Sequence, residues 1–235
     1  MYTDIHSHIL PFLDDGAKDW DETETLLRQA EAQGISRIVA TTHSHPQWKP
    51  FPLQKYTDTL AQANELCKTM RIPIVLLPGC EIMYAEDITE RHLQEGRMPA
   101  IADTNLVMLE FMPDDKLGRI QAAAARVLGA GFRPILAHID RYDAFIRSPK
   151  AVAELRGGGA LTQVNYGAFT RSPGFTAGRY MKYLIKNNQI DFLATDCHDA
   201  KVRKVNRDEG IAAAQKKYGK DAAEKLESLA KVTLF

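Results

Sequence analysis

Seven short apolar segments alternate with helix-like segments along this chain, and the alternation constrains the fold more than any other feature. The apolar segments are residues 2–6, 35–42, 74–79, 105–109, 134–137, 160–165 and 190–195. Helical patterns follow at residues 20–33, 53–70, 88–95, 117–128, 149–155 and 175–187, with two more in the charged tail that begins at residue 206. Strands that alternate with helices form parallel sheets, so the sequence predicts an α/β fold.

Residues that can bind metal ions stand at the ends of six of these seven predicted strands. They are His6, His43, Glu81, Glu110, His138 and Asp196. The sixth strand is different, because it ends near Asn165. In a closed β/α barrel the C-terminal ends of the strands converge on one mouth, where catalytic residues gather. The pattern therefore predicts a barrel with a metal site at its mouth.

The first strand carries the pair His6 and His8, which one residue separates. Side chains alternate along a strand, so both imidazoles point to the same side. Neutral imidazole is the commonest metal ligand in proteins. The carboxylates of Asp14-Asp15-Gly16 follow a few residues later, and we expect Asp15 to face the histidines and Asp14 to face the other way.

Length and composition favour one globular domain. The chain has 235 residues, of which 45% are hydrophobic, which is enough for one substantial core. No linker, repeat or low-complexity tract divides it, so we predict a single domain over residues 1–235. Three widely spaced cysteines (Cys67, Cys80 and Cys197) form neither a disulfide framework nor a zinc-knuckle pattern.

Charge and hydropathy argue against two classes of partner. Thirty basic residues balance thirty acidic ones without a long basic run, so neither nucleic acid nor an anionic membrane surface is expected as a partner. No apolar run approaches the ~20 residues of a membrane-spanning helix. The polar N-terminal residues also argue against a secretory signal. We therefore expect a cytoplasmic protein.

Several motifs resemble one family across nearly the whole chain. They are the segment from Asp4 to Pro11 with its two histidines, Asp14-Asp15-Gly16, the segment from Ala137 to Asp143, Gln163-Val164-Asn165 and Asp196-Cys197-His198. Together with His43 and Glu81 they resemble the PHP (polymerase and histidinol phosphatase) family. Within it they are most similar to the bacterial manganese-dependent protein-tyrosine phosphatases of the CpsB/YwqE type. The resemblance implies a distorted (β/α)7 barrel, similar to a TIM barrel, with three metal ions.

The resemblance also implies how the ligands are shared among the metal ions. The first ion would be bound by His6, His8, Glu81 and Asp196; the second by Glu81, Glu110 and His138; the third by Asp15, His43 and His198. Four ligand carboxylates would leave three divalent ions with a surplus of about two positive charges, which suits a phosphate dianion and a hydroxide. Such mixed ligands fit Mn²⁺, the expected metal, and also Fe or Zn²⁺.

The expected reaction is hydrolysis of phosphotyrosine by a hydroxide that bridges two metal ions. Arg141 and Arg203 match the arginines with which such phosphatases bind the substrate phosphate, and a planar guanidinium suits phosphate oxygens. The resemblance implies that the substrate is a protein, specifically a bacterial tyrosine kinase that controls capsule or exopolysaccharide synthesis. Asp199 is a candidate proton donor to the leaving group.

Two other functions remain open. The first is a PHP phosphoesterase that hydrolyses a small phosphate monoester such as histidinol phosphate with the same metal ions. The second is a non-catalytic metal-binding partner of a kinase or transport complex, which the full set of ligand residues argues against. His45 follows His43 at the same alternation, but Pro46 ends the strand there, so we expect His45 to lie on the rim of the mouth.

One motif suggests a different chemistry. The segment from Cys197 to Arg203 fits Cys-x5-Arg, the signature of cysteine-dependent tyrosine phosphatases. That chemistry needs a thiolate of low pKa in a phosphate-binding loop, usually with glycine. No glycine lies between Cys197 and Arg203, and strand alternation turns Cys197 away from Asp196 and His198. We therefore predict that Cys197 takes no part in the reaction.

Overall fold

The computed structural model describes residues 1–171 and 174–231, and every strand pairing in them is parallel. The strands are β1 (Tyr2–Ser7), β2 (Ile35–Ala40), β3 (His43–Ser44), β4 (Val75–Pro78), β5 (Glu81–Met83), β6 (Leu106–Glu110), β7 (Arg133–Leu136), β8 (Leu161–Asn165) and β9 (Phe192–Ala194).

Helices follow the strands as the alternation predicts. They are α1 (Trp20–Ala32), α2 (Leu53–Thr69), α3 (Ile88–Gln94), α4 (Leu117–Gly129), α5 (Asp143–Arg147), α6 (Lys150–Gly157), α7 (Gly167–Thr170), α8 (Phe175–Lys186), α9 (Arg207–Tyr218) and α10 (Lys220–Leu229). Two short 3-10 helices, Ile101–Asp103 and Ile139–Arg141, complete the set. Among the described residues, no helix combines the length and the apolar character that crossing a membrane requires.

Two of the seven predicted strands end slightly early and are each followed by a second short strand. The strands predicted at residues 35–42 and 74–79 are formed by residues 35–40 and 75–78, and β3 and β5 begin after a break of two residues. The side chain of Tyr56 is the physical reason. Its buried hydroxyl donates to the carbonyl of Ala40 (2.9 Å) and accepts from the N–H of Gly79 (2.8 Å), at the point where β2 and β4 end. The chain resumes on the other side of this contact as β3 and β5, which pair with each other.

The strands form a ring. One sheet has the order β1-β2-β4, and the second has the order β3-β5-β6-β7-β8-β9. The chain just after β9 returns to the end of β1, where Asp196 N donates to the His6 carbonyl (2.9 Å) and His8 N donates to the Cys197 carbonyl (2.8 Å). Seven strand positions, two of them broken, thus form the distorted (β/α)7 barrel that was predicted.

Two apolar clusters fill the molecule on either side of the strands. The larger lies between the strands and the helices, and α4 shows how it forms: Ile120, Ala123, Ala124 and Val127 share its buried face. The smaller cluster fills the interior of the ring with residues from β1, β2, β6, β7 and β9, among them Met108 and Phe192. Its members share strand faces with residues at the mouth, since Met108 and Glu110 are two positions apart.

The C-terminal helices return to the start of the barrel. Thr3 N donates to the carbonyl of Ala230 (2.9 Å), and the hydroxyl of Tyr2 lies 2.6 Å from Glu227 Oε1. Up to residue 231, the tail therefore forms two helices, and these contact β1. A single domain over residues 1–235 stays a prediction, and residues 232–235 lie outside the described range.

Candidate metal centre

His6, near the end of β1, and His8, just after it, meet at the mouth of the barrel. The Nε2 atoms of His6 and His8 lie 3.2 Å apart, and each lies within 3.2 Å of Glu81 Oε2. A shift in the pairing of β1 with β2 between Asp4 and Ser7 accompanies this arrangement. The side chains of His6, His8 and Glu81 are all buried, and their nitrogen and oxygen atoms converge on one point.

The loop after β1 orients His8, and here one expectation is wrong. Asp14 does not face away, because its Oδ2 lies 2.8 Å from His8 Nδ1 and accepts from the backbone N–H of His43 (2.8 Å). A carboxylate only accepts hydrogen bonds, so Nδ1 carries the proton and Nε2 is left free to bind a metal ion. Gly16 permits the turn, since a Cβ there would lie 2.1 Å from the His8 carbonyl oxygen.

Glu81 occupies the centre of the site. Its Oε1 lies 2.8 Å from His138 Nε2, and its Oε2 lies 3.2 Å from His43 Nδ1. Glu110 lies beside it, with Oε1 3.5 Å from His138 Nε2 and Oε2 3.6 Å from His43 Nδ1. The predicted second group, Glu81, Glu110 and His138, is therefore brought together, and His43 stands within reach of the same carboxylates.

The predicted third group lies on the outer side of the centre. Asp15 Oδ1 lies 3.5 Å from His43 Nε2 and 3.6 Å from His198 Nε2. His198 Nδ1 donates to the carbonyl of Asp196 (3.0 Å), which leaves its Nε2 directed at the site. Asp15 is the exposed member of the group, with 65% of its side chain accessible to solvent.

These side chains fit metal ions. Three sets have ligand atoms that all lie within 4.8 Å of one another: His8, Asp15, His43 and His198; His6, His8, Glu81 and Asp196; and His43, Glu81 and Glu110. His43 Nδ1 and His198 Nε2 are buried without a hydrogen-bond partner among the described residues. Mixed imidazole and carboxylate donors of this kind suit divalent transition metals. Neighbouring sets share His8, His43 or a carboxylate, so ions bound there would lie close together.

The strand without a ligand has a role that sequence reasoning did not find. On β8, Gln163 Oε1 accepts from His138 N (2.6 Å) and lies 3.3 Å from His6 Nδ1. Asn165 Nδ2 donates to Asp196 Oδ2 (2.7 Å), and Gln163 Nε2 donates to Asn165 Oδ1 (2.7 Å). These two amides hold the ligands that neighbouring strands supply. Their alternation in Gln163-Val164-Asn165, on the face that bears ligands elsewhere, was the available signal.

Two candidate ligands have unusual backbone conformations. His138 has φ 32° and Asp196 has φ 52°, and each lies within two residues of the end of its strand. Left-handed φ values are uncommon outside glycine and cluster at functional sites, where the surrounding structure holds them. In this barrel they turn the chain so that both side chains reach the centre.

The charges of the centre shift the pKa values of its groups in opposite directions. Burial alone would lower the pKa of His8, but hydrogen bonds to Asp14 and Glu81 raise it to about 10. His138 behaves likewise: against burial, hydrogen bonds to Glu110 and Glu81 raise its pKa to about 9. Burial would raise the pKa of Glu81, yet the neighbouring His6 and His138 hold it well below its usual value. The protein charges alone thus favour cations within this centre.

Arg141 and Arg203 line a cavity of about 120 Å³ beside the centre. Both contact the same candidate ligand, with Arg141 Nη2 2.6 Å from Asp196 Oδ2 and Arg203 Nη2 3.0 Å from Asp196 Oδ1. Each guanidinium carries five N–H donors, and this contact uses one nitrogen of each. The remaining donors are available to an anion in the cavity.

The surroundings of Cys197 and Asp199 bear on two further predictions. Cys197 is buried in the outer apolar cluster, and burial together with the charges of Asp4 and Asp196 raises its pKa, so the thiol faces away from the centre as predicted. Asp199 is a poor proton donor. Slight burial would raise the pKa of its carboxyl. The backbone N–H groups of residues 201 to 203 bind this carboxylate, however, and they lower its pKa.

Comparison with known proteins identifies the family. A family model described as capsular polysaccharide synthesis, CpsB/CapC, matches residues 2–232. The chain belongs to the CpsB/CapC family. This membership agrees with the resemblance found in the motifs, and it covers almost the whole sequence.

Individual relatives of this CpsB/CapC protein carry informative names. The tyrosine-protein phosphatase CpsB of Streptococcus pneumoniae is 30% identical over 229 residues, which is 95% of this chain and 93% of the relative. A crystal structure from a study of YwqE from Bacillus subtilis and CpsB from Streptococcus pneumoniae, described as metal-dependent tyrosine phosphatases, matches with a TM-score of 0.85 and 27% identity over 99% of this chain and 96% of that one.

A more distant structure shares the fold. Histidinol phosphate phosphatase from Lactococcus lactis, solved with zinc, L-histidinol and phosphate, matches with a TM-score of 0.59 at 16% identity over 94% of this chain and 93% of that chain. At this identity the match supports the PHP-type barrel and not the substrate. The fold prediction is thereby confirmed by two structures of different similarity.

Proposed function

We propose that this protein is a metal-dependent protein-tyrosine phosphatase that acts in capsular or exopolysaccharide synthesis. One observation carries the proposal: nine side chains that can bind metal ions converge at one mouth, beside two arginines, in a chain of the CpsB/CapC family. Relatives named as tyrosine-protein phosphatases and the similarity to a metal-dependent tyrosine phosphatase structure support it.

The ligands we propose are those implied by the resemblance. Three divalent ions, most suitably Mn²⁺, would be held by His6, His8, Asp15, His43, Glu81, Glu110, His138, Asp196 and His198. When bound, such ions supply an activated water and neutralise the charge of the substrate phosphate. The grouping of these side chains supports the proposal, with Glu81 between the first and second sets.

The other residues of the site would bind and orient the substrate. Arg141 and Arg203 would donate to phosphate oxygens from the cavity that they line, where a bidentate guanidinium is worth more than a point charge. Asp14, Gln163 and Asn165 would keep the ligands in place through the hydrogen bonds described above. The phenol of tyrosine has a pKa near 10, so this leaving group needs little proton donation. That property agrees with the lowered pKa of Asp199, which makes this carboxyl a poor proton donor.

The substrate would be a phosphotyrosine-containing protein. The family description supports a role in capsule synthesis. A tyrosine kinase as the substrate remains a prediction from the resemblance, and a cytoplasmic location remains a prediction from the sequence composition. Because basic and acidic residues balance along the chain, we expect neither nucleic acid as a partner nor insertion into a membrane.

The deciding experiment compares substrates and metal states. Purified protein should hydrolyse a phosphotyrosine peptide much faster than histidinol phosphate, lose this activity on chelation and recover it with Mn²⁺. Elemental analysis should find transition metal in the active protein. Faster hydrolysis of histidinol phosphate would instead favour a small-molecule phosphoesterase, and bound metal without hydrolysis of either compound would favour the non-catalytic binding protein.

A further inference from the structure

Two aromatic side chains stand exposed at the mouth of the barrel. Phe12, in the loop after β1, is 55% exposed, and Trp48, in the loop after β3, is 72% exposed. Both loops also carry candidate ligands or their neighbours, since Asp15 follows Phe12 and His43 precedes Trp48. Single exposed apolar residues are common on protein surfaces. Among the described residues, however, Phe12 and Trp48 are the exposed aromatic ones, and both lie on loops beside the candidate metal centre.

Trp48 is held in place by its own loop. The backbone N–H of Trp48 donates to the carbonyl of His45 (2.9 Å). The indole ring is stacked on the His45 ring, with 5.1 Å between centroids and 23° between planes. The His45 ring in turn lies 5.6 Å from that of His43, a candidate ligand. The three rings thus form a series from the metal centre to the rim, with the indole at its outer end.

Phe12 has a backbone conformation that its side chain does not favour. Its φ is 66°, in the left-handed region that bulky residues rarely occupy. The conformation is secured by a hydrogen bond from Lys55 Nζ to its carbonyl (2.5 Å). A strained residue that the surrounding structure holds, next to a functional centre, often serves that centre.

The mouth has two chemically different sides. Arg141 and Arg203 line the cavity near β7 and β9, whereas the loops after β1 and β3 present Phe12 and Trp48 with the exposed carboxylate of Asp15. The phosphate of a substrate would be held by metal ions bound at the centre and by the two arginines. On the side of these loops its organic substituent would meet the faces of Phe12 and Trp48, where the Lys55 ammonium is already bonded to the Phe12 carbonyl. An aryl ring is the group that aromatic faces favour.

We propose that Phe12 and Trp48 form an aromatic wall that contacts the phenyl ring of a phosphotyrosyl residue, and that this contact selects aryl over alkyl phosphates. The inference rests on the proposed function and names the determinant of its specificity. Neither Phe12 nor Trp48 is among the candidate metal ligands. The contact would therefore affect substrate binding and leave the metal ions in place.

The test uses two inhibitors that share a head group. Phenylphosphonate and methylphosphonate both mimic the phosphate and resist hydrolysis, but only the first carries a ring. In Trp48→Ala the inhibition constant of phenylphosphonate should rise by about tenfold, in line with the loss of one aromatic contact, while that of methylphosphonate should change by less than about twofold. Trp48→Phe should keep most of the wild-type preference for phenylphosphonate over methylphosphonate, because phenylalanine also presents an aromatic face.

Phe12 and a control complete the design. Phe12→Gly should fold, because glycine adopts this φ without strain, and should also weaken phenylphosphonate binding selectively. Val75→Ala is the matched control, since Val75 is equally exposed (53%) but begins β4 at the opposite end of the barrel. It should alter neither inhibition constant. Metal content, measured in every variant, should equal that of the wild-type protein.

Several results would overturn the inference. An unchanged ratio of the two inhibition constants in Trp48→Ala would do so, as would an equal loss for both inhibitors or a loss of metal. A change in oligomeric state with an unchanged ratio would assign the wall to a second copy of the chain. Wild-type protein that hydrolyses no phosphotyrosine would overturn the proposed function itself, so the two failures are distinguishable.

Discussion

The interior of the barrel has two layers that the same strands build with opposite chemistry. The inner layer is apolar: Val39, Met108 and Phe192 meet there with residues of β1 and β7. The layer at the mouth is charged, and most of its ligand side chains are buried as well, although Asp15 is exposed. On β6 only two positions separate Met108 from Glu110.

The difference shows what each layer contributes. Burial of apolar side chains stabilises the fold by about 25 cal/mol per Å² removed from water. Buried charges cost free energy unless they are paired or bind a metal ion. Substitutions in the charged layer should therefore change metal binding and activity first, whereas substitutions in the apolar layer should change stability first.

The largest effect is expected for Glu81, which lies between two candidate metal sets. Glu81→Gln should reduce phosphatase activity by more than ~100-fold, the upper range for loss of a residue that merely orients a ligand. Metal content should fall as well, which elemental analysis would measure. Glu65→Gln on the exposed surface of α2 is the control (67% exposed). Unchanged metal stoichiometry in Glu81→Gln would refute the assignment of this centre.

The apolar layer should respond in the opposite way. Met108 is completely buried, so Met108→Ala should lower the free energy of unfolding by about 2–5 kcal/mol through lost contacts and a cavity. The metal content of the folded protein should be unchanged. Denaturant titration measures the first quantity and elemental analysis the second. If this variant loses metal while its stability is normal, the two layers are not separable.

Asp14 tests whether the charged layer extends beyond its ligands. In Asp14→Asn, either orientation of the amide directs an NH2 group at a donor, namely His8 Nδ1, His43 N or Gly16 N. We expect metal affinity to fall by about 10–100-fold, as for other residues that orient metal-binding histidines. Competition with a chelator measures the affinity, with Asp58→Asn on α2 as the control. Full affinity in Asp14→Asn would show that His8 needs no such partner.

Metal binding should depend on pH because protons compete for the same nitrogen atoms. Without metal, the raised pKa values of His8 (about 10) and His138 (about 9) keep both protonated at pH 7. Metal affinity should therefore rise with pH up to about 10, the higher of the two pKa values, by up to ~10-fold per pH unit for each proton displaced. Calorimetry in buffers of different ionisation enthalpy would count the protons, and the absence of proton release would contradict these pKa values.

The stability of the metal-free protein should change with pH in the opposite direction to its metal affinity. A histidine whose pKa is raised on folding stabilises the folded state below its unfolded pKa of 6.5, and this contribution is lost as pH rises through the folded value. The free energy of unfolding of the metal-free protein should thus fall between about pH 6.5 and 10, as first His138 and then His8 loses its proton. Thermal unfolding with and without chelator would compare the two trends directly.

The smallest effect is expected at Cys197. Its thiol lies in the outer apolar cluster, so Cys197→Ser should retain most of the activity although it places a hydroxyl in an apolar environment. Activity per metal ion bound is the relevant measurement. An inactive serine variant that keeps its metal would refute the metal-dependent mechanism in favour of a thiol nucleophile.

Local sequence patterns determined much of this protein. Strand periodicity predicted that His6 and His8 share a side and that Cys197 points away. The structure agrees, although His8 and Cys197 lie just beyond the ends of β1 and β9. Parallel strands bring their C-terminal ends to one edge, so the ligand-like residues at those ends could be grouped from the sequence alone. The exception, Asn165, was visible in the sequence as a strand end without a metal ligand.

Tertiary structure decided the features that depend on residues far apart in the chain. Asp14 turned toward His8 because the backbone of His43 also binds it, and Tyr56 divided two strands by bonding to both. Gln163 holds His6 although 157 positions separate them. Such contacts arise from where the folded backbone places donors and acceptors, and no local periodicity encodes that placement.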